Sequence, residues 1–426
     1  MTETSPPSVP LVRPASPHTA KPKSWLVRLA GAQEFGLVVV ILLLGTFLTF
    51  ATPMVERTVR TLLPLSPSAG LTLTVADVPG GFTITTPASA SSGASSKTYL
   101  EADGYEYQML DDAIVLKQQV RVNKFLNLDN LISVLTSTAF IAIMAVGMTG
   151  IIVSGGIDLS VGSIYALAAV IGAMALKAVV GTSSTPGAGG LFSGILTVVA
   201  VCGGVGALCG FINGFASVGL KVHPFIITLG GMAIYRGVAF VSTQGLSVGP
   251  FPDSFILSTG KLQIFGTSAV PLICMIIVAV VGWFVLSRTV FGRRVYAIGG
   301  NEIAAKYAGV PVGRTKVKLF TLCGMLAGVS AALYLCYFGA GSSDAGQGYE
   351  LNVIAAAVVG GASLSGGRGS AIGAVLGAIV IQLIDNSILM LQIDQNYKNI
   401  VIGLAIVLAV VVDQTKHRLL GGAARH

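Results

Sequence analysis

Runs of about 20 apolar residues recur along this chain, separated by short segments that hold most of its charge. In hydrocarbon the backbone of such a run can satisfy its N–H and C=O groups only as a helix or within a closed barrel. Barrel strands would show segments of about ten residues that alternate in polarity, and the long runs here do not alternate. Only 10% of the residues are charged and 53% are hydrophobic, where soluble domains carry about 25% charged residues. The 54 glycines fit the same solvent, because small residues let membrane helices approach closely. The fold class that follows is an all-α polytopic membrane protein.

Spans are expected near 35–53, 128–154, 160–178, 191–214, 224–243, 268–287, 317–338, 348–364, 369–391 and 397–412, about ten in all. The segment 1–34, rich in Pro, Ser and Thr, reads as a disordered cytoplasmic tail. A cleaved signal peptide is the rival reading of the first run, but the leader before it is long and no clean small-x-small site follows. Residues 54–126 break the pattern. Leu71, Leu73 and Val75 alternate with threonines, as do Phe82 and Ile84, and Pro79-Gly80 between them is a turn signal. A low-complexity stretch follows at 88–96. The segment reads as a small extracytoplasmic β-rich insertion in the periplasm, or as a loose loop. Residues 127–412 are then the main transmembrane domain, and 413–426 a second cytoplasmic tail.

Net charge is +8, and its placement is informative. Basic residues gather at Lys21, Lys23 and Arg28, between Arg288 and Lys318, and at Lys416 and Arg418. With an even number of spans these clusters share one side, which the positive-inside rule makes the cytoplasm, with both termini inside. A nucleic-acid groove is not built this way. The five cysteines lie in apolar spans without a CxxC pair or a Cys/His cluster, so neither a disulfide framework nor a metal site is supported.

Two polar features interrupt the spans. In Gly155-Gly156-Ile157-Asp158-Leu159-Ser160-Val161-Gly162-Ser163 a carboxylate sits between two apolar runs, where burial in a bilayer costs on the order of 3 kcal/mol or more. Asp158 or Ser160 can cap the following helix, near the inner end of its span, or the group can line a gate or contact a ligand. Gly360-Gly361-Ala362-Ser363-Leu364-Ser365-Gly366-Gly367 echoes this stretch, by internal repetition or by chance in a glycine-rich chain. Arg236 lies midway along its span and needs an acid, with Asp158 and Glu350 as candidates, or carbonyls exposed at a helix break. Glu350 begins a span near the outer face, where the helix dipole favours an acid. The second feature is the loop 288–316. Asn301 can cap a short helix over 302–308, which Gly309 and Pro311 would end. Such a helix suits docking of a soluble partner, while the plainer reading is a basic loop resting on anionic headgroups.

The 155–163 stretch and the 292–309 loop closely resemble the permeases of the ribose/xylose/galactose class of bacterial ABC importers. Pro224-Phe225-Ile226-Ile227-Thr228-Leu229-Gly230, Tyr235-Arg236-Gly237 and the segment from Tyr349-Glu350 to Gly369 extend the resemblance across about 125–412 in consistent order. It implies a ten-span permease in the bacterial inner membrane, paired with a second permease copy, identical or paralogous. Its other partners would be a cytoplasmic ABC ATPase, a periplasmic sugar-binding protein and membrane lipid, with no nucleic acid. It also makes Gly292, Arg293, Arg294, Gly299, Asn301, Glu302, Ala304, Ala305 and Gly309 the ATPase-coupling segment. Gly155, Gly156, Asp158, Ser160, Gly162, Arg236, Glu350, Gly360 and Gly361 are candidates for translocation or gating. Residues 54–126 depart from the family pattern, which has a short connection there.

Leu364-Ser365-Gly366-Gly367-Arg368 looks like the nucleotide-sandwiching motif of ABC ATPases, but no Gly-x-x-x-x-Gly-Lys-Ser/Thr exists to cradle phosphates. It reads as a tight turn between helices. No catalytic residue and no metal or cofactor is therefore expected on this chain, and ATP with Mg belongs on the partner ATPase. The expected function is alternating-access transport of a monosaccharide or similar small polar solute. The runner-up is an ion-coupled secondary transporter that uses Asp158, Arg236 or Asp385. A membrane enzyme would need a clustered nucleophile, base or metal set, which the sequence lacks.

Overall fold

Uninterrupted apolar sequence makes the helices here, and glycine, proline and polar clusters end them. The computed structural model describes residues 33–64, 74–86, 95–109, 113–180, 188–264 and 267–422. Residues 1–32 of the expected tail and 88–94 of the low-complexity stretch lie outside these. The helices, in order, are α1 (Gln33–Ala51), α2 (Leu128–Val153), α3 (Val161–Val180), α4 (Ala188–Gly219), α5 (Pro224–Thr243), α6 (Asp253–Ser258) and α7 (Val270–Arg288). They continue with α8 (Val290–Gly300), α9 (Glu302–Tyr307), α10 (Val312–Phe338), α11 (Tyr349–Val359), α12 (Ala371–Met390) and α13 (Tyr397–Gly422). Among the described residues eight helices are long and apolar enough to cross a membrane. The other two expected spans coincide with shorter apolar helices, Tyr349–Val359 and Tyr397–Leu408. The helix that begins at Tyr397 runs on through Gly422, past the expected boundary at 412.

Buried residues of α2, α3, α10, α11 and α12 form one continuous core. Small residues set its tightest contact, between α4 and α10. A Cβ on Gly206 would strike the Gly324 carbonyl, one on Gly210 the Phe320 carbonyl, and one on Gly328 the Cys202 carbonyl. Spaced four apart, these glycines form a stripe on which the two backbones touch, as lipid-solvated helices require when no hydrophobic drive pulls them together. Gly377 meets the Ala356 carbonyl in the same way where α12 crosses α11.

Between α1 and α2 lie six strands: β1 (Met54–Pro64), β2 (Thr74–Val78), β3 (Gly81–Thr86), β4 (Ser95–Leu100), β5 (Tyr105–Met109) and β6 (Ala113–Asn123). They form two antiparallel three-stranded sheets, β1-β6-β5 and β2-β3-β4. The turn expected at Pro79-Gly80 joins β2 to β3, with Gly80 at φ 78°. The long outer pair β1 and β6, in register from Met54↔Asn123 to Pro64↔Ala113, was not foreseen. Phe82, Ile84, Ile114 and Leu116 fill the interior, with Tyr99, Tyr105 and Tyr107 packed on them. The Tyr107 hydroxyl donates to Asp77 at 3.1 Å, and that carboxylate raises the phenol's pKa above its ordinary value. Asn123 Nδ2 donates to the Thr49 carbonyl at 2.8 Å, and Arg57 pairs with Asp129, so the sheet is tied to both flanking helices.

Candidate functional site: two helix breaks and the segment that touches them

The chain between α2 and α3 is not helical, yet it is buried. Gly155 takes φ 81° and so ends α2. Asp158 and Ser160 are each 0% exposed. Asp158 Oδ1 accepts from the Ser160 N–H at 2.8 Å and from its hydroxyl at 2.6 Å, which closes the turn that leads into α3. The Ser160 hydroxyl also accepts from Asn213 Nδ2 on α4 at 2.8 Å, and Asn213 Oδ1 accepts from the Tyr235 hydroxyl on α5 at 2.9 Å. Thr228 holds the same turn from below, accepting from the Leu159 N–H at 3.2 Å and donating to the Ile157 carbonyl at 3.3 Å. Sequence reasoning named Asp158 and Ser160 but missed Asn213, Thr228 and Tyr235. A lone amide inside the apolar run 211–215 was the available signal for Asn213.

A second break follows α10. The chain turns back at Gly339 and runs irregularly to Gly348 before α11 begins. Arg236 reaches this segment from the middle of α5. Its Nη1 donates to the carbonyls of Ser343 and Ala345, each at 2.8 Å, and its Nη2 to that of Gly346 at 3.3 Å. Of the partners the sequence left open, carbonyls at a helix break are therefore the ones it contacts. The physical reason is that irregular backbone leaves carbonyl acceptors that no helix or sheet ladder satisfies.

The two breaks meet, and Glu350 stands at their junction. With 11 residues α11 is about 16 Å long, half of what crossing a bilayer takes. Its N-terminus lies against α3: a Cβ on Gly162 would strike a Glu350 carboxylate oxygen and come within 2.6 Å of the Gly346 carbonyl. Glu350 thus begins a short helix that packs on α3 where the two breaks meet. Asp158 lies four residues from Gly162 and is enclosed by α3, α4 and α5. Tyr165 packs on Tyr349 and Tyr334, each at 5.6 Å between ring centres. Six buried side-chain oxygens among the described residues lack a partner within the chain, and five belong to these segments: Asp158 Oδ2, Ser163 Oγ, Tyr165 OH, Ser343 Oγ and Glu350 Oε2. Sequence reasoning missed Ser163, Tyr165 and Ser343. Gly360 and Gly361 lie at the far end of α11, where Gly360 packs on the Gly373 carbonyl.

The loop after α7 is two helices rather than one. Thr289 Oγ accepts from the Gly292 N–H at 3.1 Å and caps α8, which carries Arg293 and Arg294 on its exposed side. Asn301 Oδ1 accepts from the Ala304 N–H at 2.9 Å and caps α9, and Gly309 at φ 80° follows its end, as expected. Glu302 is ion-paired with Lys316 at 2.7 Å, and Ala305 is buried beneath the helix. Ile303 and Tyr307, one turn apart, are 69% and 88% exposed, a pair the sequence reading did not single out. Gly299 has no room for a Cβ, because the Val153 carbonyl and the Gly367 N–H occupy the space. Gly367 N–H donates to that Val153 carbonyl at 2.8 Å, and the Tyr296 hydroxyl donates to the Gly369 carbonyl at 2.7 Å. The loop therefore rests on the end of α2, where the first break begins, and on the turn that follows α11. Asp385 is ion-paired with Lys398 at 2.8 Å.

A buried polar seam between broken helices in a multi-pass apolar bundle defines a membrane permease, a protein that moves solute without covalent chemistry. Residues 130–410 match the family described as branched-chain amino acid transport system / permease component, and the chain belongs to that family. It is 36% identical to the ribose import permease protein RbsC of Escherichia coli K12 over 297 residues, 68% of this chain and 88% of the relative. RbsC of Bacillus subtilis 168 is 38% identical over 299 residues, covering 68% and 87%. The D-allose transport system permease protein AlsC of Escherichia coli K12 is 34% identical over 290 residues, covering 68% and 85%. No solved structure matches the chain. Proteins of this kind are permease subunits of ABC importers and are not themselves enzymes.

Proposed function

We propose that this chain is the membrane-spanning subunit of an ATP-driven importer that carries a monosaccharide or a similar small polyhydroxylated solute by alternating access. The observation that carries the reading is the seat of the 290–307 segment. Its inner face, at Tyr296 and Gly299, touches the end of α2, where the first break begins, and the turn that follows α11, while its outer face offers Ile303, Tyr307, Arg293 and Arg294 to a partner. A rigid capped helix transmits displacement, so a push from an ATPase on α9 reaches Val153 and Gly367 through Gly299 of the adjoining α8. ATP and Mg are then bound by that ATPase. The relatives named for ribose and allose support a sugar, and hydroxyl groups suit the unpaired oxygens of Asp158, Ser163, Tyr165, Ser343 and Glu350.

In this reading α11 together with the irregular chain before it, and α13, complete about ten crossings, both termini are cytoplasmic, and the strands of 54–123 stand on the outer side. A binding protein delivers solute there, and a second permease copy, identical or paralogous, completes the pathway. The test is reconstitution of the chain with its ATPase and binding protein in proteoliposomes. Uptake should require ATP, and Arg293→Glu with Arg294→Glu should reduce ATPase co-purification at least tenfold. Uptake that an ion gradient drives with every ATPase removed would sink the importer reading.

A further inference from the structure

We infer that the groove between α4, α7 and the start of α10 is a binding site for one anionic phospholipid, with the headgroup on a cluster of lysine and arginine and an acyl chain against phenylalanine. The groove has a volume of about 1300 Å³ and is open on one side. Its mouth carries Lys306, Arg314 and Lys318, all exposed. Among the described residues none of the three lies within ion-pair distance of a carboxylate, since the one acid of the adjoining helix, Glu302, is taken by Lys316. Deeper in, the wall is apolar: Phe211 and Phe215 stack with ring centres 5.8 Å apart, and Leu322 faces them.

Dimensions and charge choose the occupant. Leu322 lies ten residues beyond Val312, about 15 Å along α10, which is half of the roughly 30 Å hydrocarbon thickness. The groove is thus one leaflet deep, cationic at the interface and apolar below, which is the profile of a single anionic lipid. A soluble partner on the polar loop cannot reach Leu322. A second copy of this chain packed here about a two-fold axis would set its own Lys306, Arg314 and Lys318 against these, like charge on like charge. A zwitterionic lipid would leave the three cations without a counter-charge. The inference uses the membrane-edge position of the 288–318 segment and needs neither the ATPase nor the transported solute, so it stands or falls apart from the importer reading.

The test places a reporter in the groove. The full chain carrying Phe215→Trp, with Trp25→Phe and Trp283→Phe to remove the native signals, is reconstituted in phosphatidylcholine vesicles. Brominated phosphatidylglycerol or brominated phosphatidylcholine is then titrated in as quencher. Phosphatidylglycerol should quench with at least about fivefold preference, the gain expected for one interfacial cation acting on an anionic headgroup. The preference should fall towards one in Lys306→Gln/Arg314→Gln/Lys318→Gln and in high salt, and persist in Lys306→Arg/Lys318→Arg, which keeps the charge and guards against a fold defect. Equal quenching by the two lipids, a preference that survives the triple glutamine change, or a Trp that neither lipid reaches because a second copy covers it, would each overturn the proposal.

Discussion

At the scale of single residues, Arg236 and Gly162 carry the most testable arguments. Arg236 donates to the carbonyls of Ser343, Ala345 and Gly346, and removing it leaves these acceptors without that partner. Arg236→Ala is expected to lower stability by about 3 kcal/mol, given the worth of hydrogen bonds to a charged donor, and to abolish uptake. Arg236→Lys keeps the charge without the planar fork and should recover only part of each. Thermal unfolding of the purified chain together with proteoliposome uptake checks both. Gly162→Ala forces a methyl group against the Glu350 carboxylate and the Gly346 carbonyl. Uptake should fall at least tenfold while the chain still folds, and Glu350→Ala in the same chain should restore part of it. No restoration would mean that the Gly346 backbone alone sets the limit. Gly155, Asp158 and Arg236 were legible in the sequence because charge and paired glycines are rare within apolar runs. Asn213 and Tyr235 were not, because a single uncharged polar residue in a span carries little signal until its partner on another helix is known, and Ser343 was not, because a serine between spans looks like any loop residue.

At the scale of elements, the proposed mechanism makes α8 and α9 one lever whose two faces do different work. Asn301→Ala removes the α9 cap and should cost about 1 kcal/mol locally. The prediction is faster amide exchange over Glu302–Tyr307 and weaker ATPase recovery, with the bundle's unfolding temperature unchanged. Gly299→Ala acts on the other face, where the Val153 carbonyl and Gly367 N–H leave no space. It should leave ATPase co-purification intact and still reduce uptake, which separates docking from transmission. If Gly299→Ala lost the ATPase instead, the two faces would not be independent. The cap and the stop of α9 could be read from Asn301, Gly309 and Pro311, since capping is local chemistry. The separate helix α8 could not, because its buried side, Gly292, Val295 and Ile298, is defined only by what lies beneath it.

At the scale of the molecule, the α4–α10 contact and the strand insertion decide how the parts are held. Gly324→Leu drives a side chain into the Gly206 carbonyl and the backbone of Gly210. Overpacking of this kind costs about 1–3 kcal/mol or more, and both helices belong to the bundle that positions Asn213. Lower unfolding temperature and loss of uptake should appear together in one sample. The insertion is attached differently. Thr58 pairs with Gln119, so replacing the chain between them with a two-residue turn keeps the base of β1 and β6, with Arg57–Asp129 and Asn123–Thr49 intact. The shortened chain should insert and unfold at the temperature of the full one, and any change should be confined to uptake that depends on the binding protein. Unfolding at a clearly lower temperature would instead make the strands part of the bundle's own support.

The sequence by itself determined the solvent, the helical class, the approximate limits of the spans and the places where they break. These follow from local facts: how many apolar residues run together, and where glycine, proline or charge interrupts them. Only the tertiary structure decided that the start of α11 packs against Gly162, that Arg236 bonds to carbonyls, and that Gly299 lies on the end of α2. Those depend on which distant segments meet, and the periodicity of one apolar run carries no record of its neighbour.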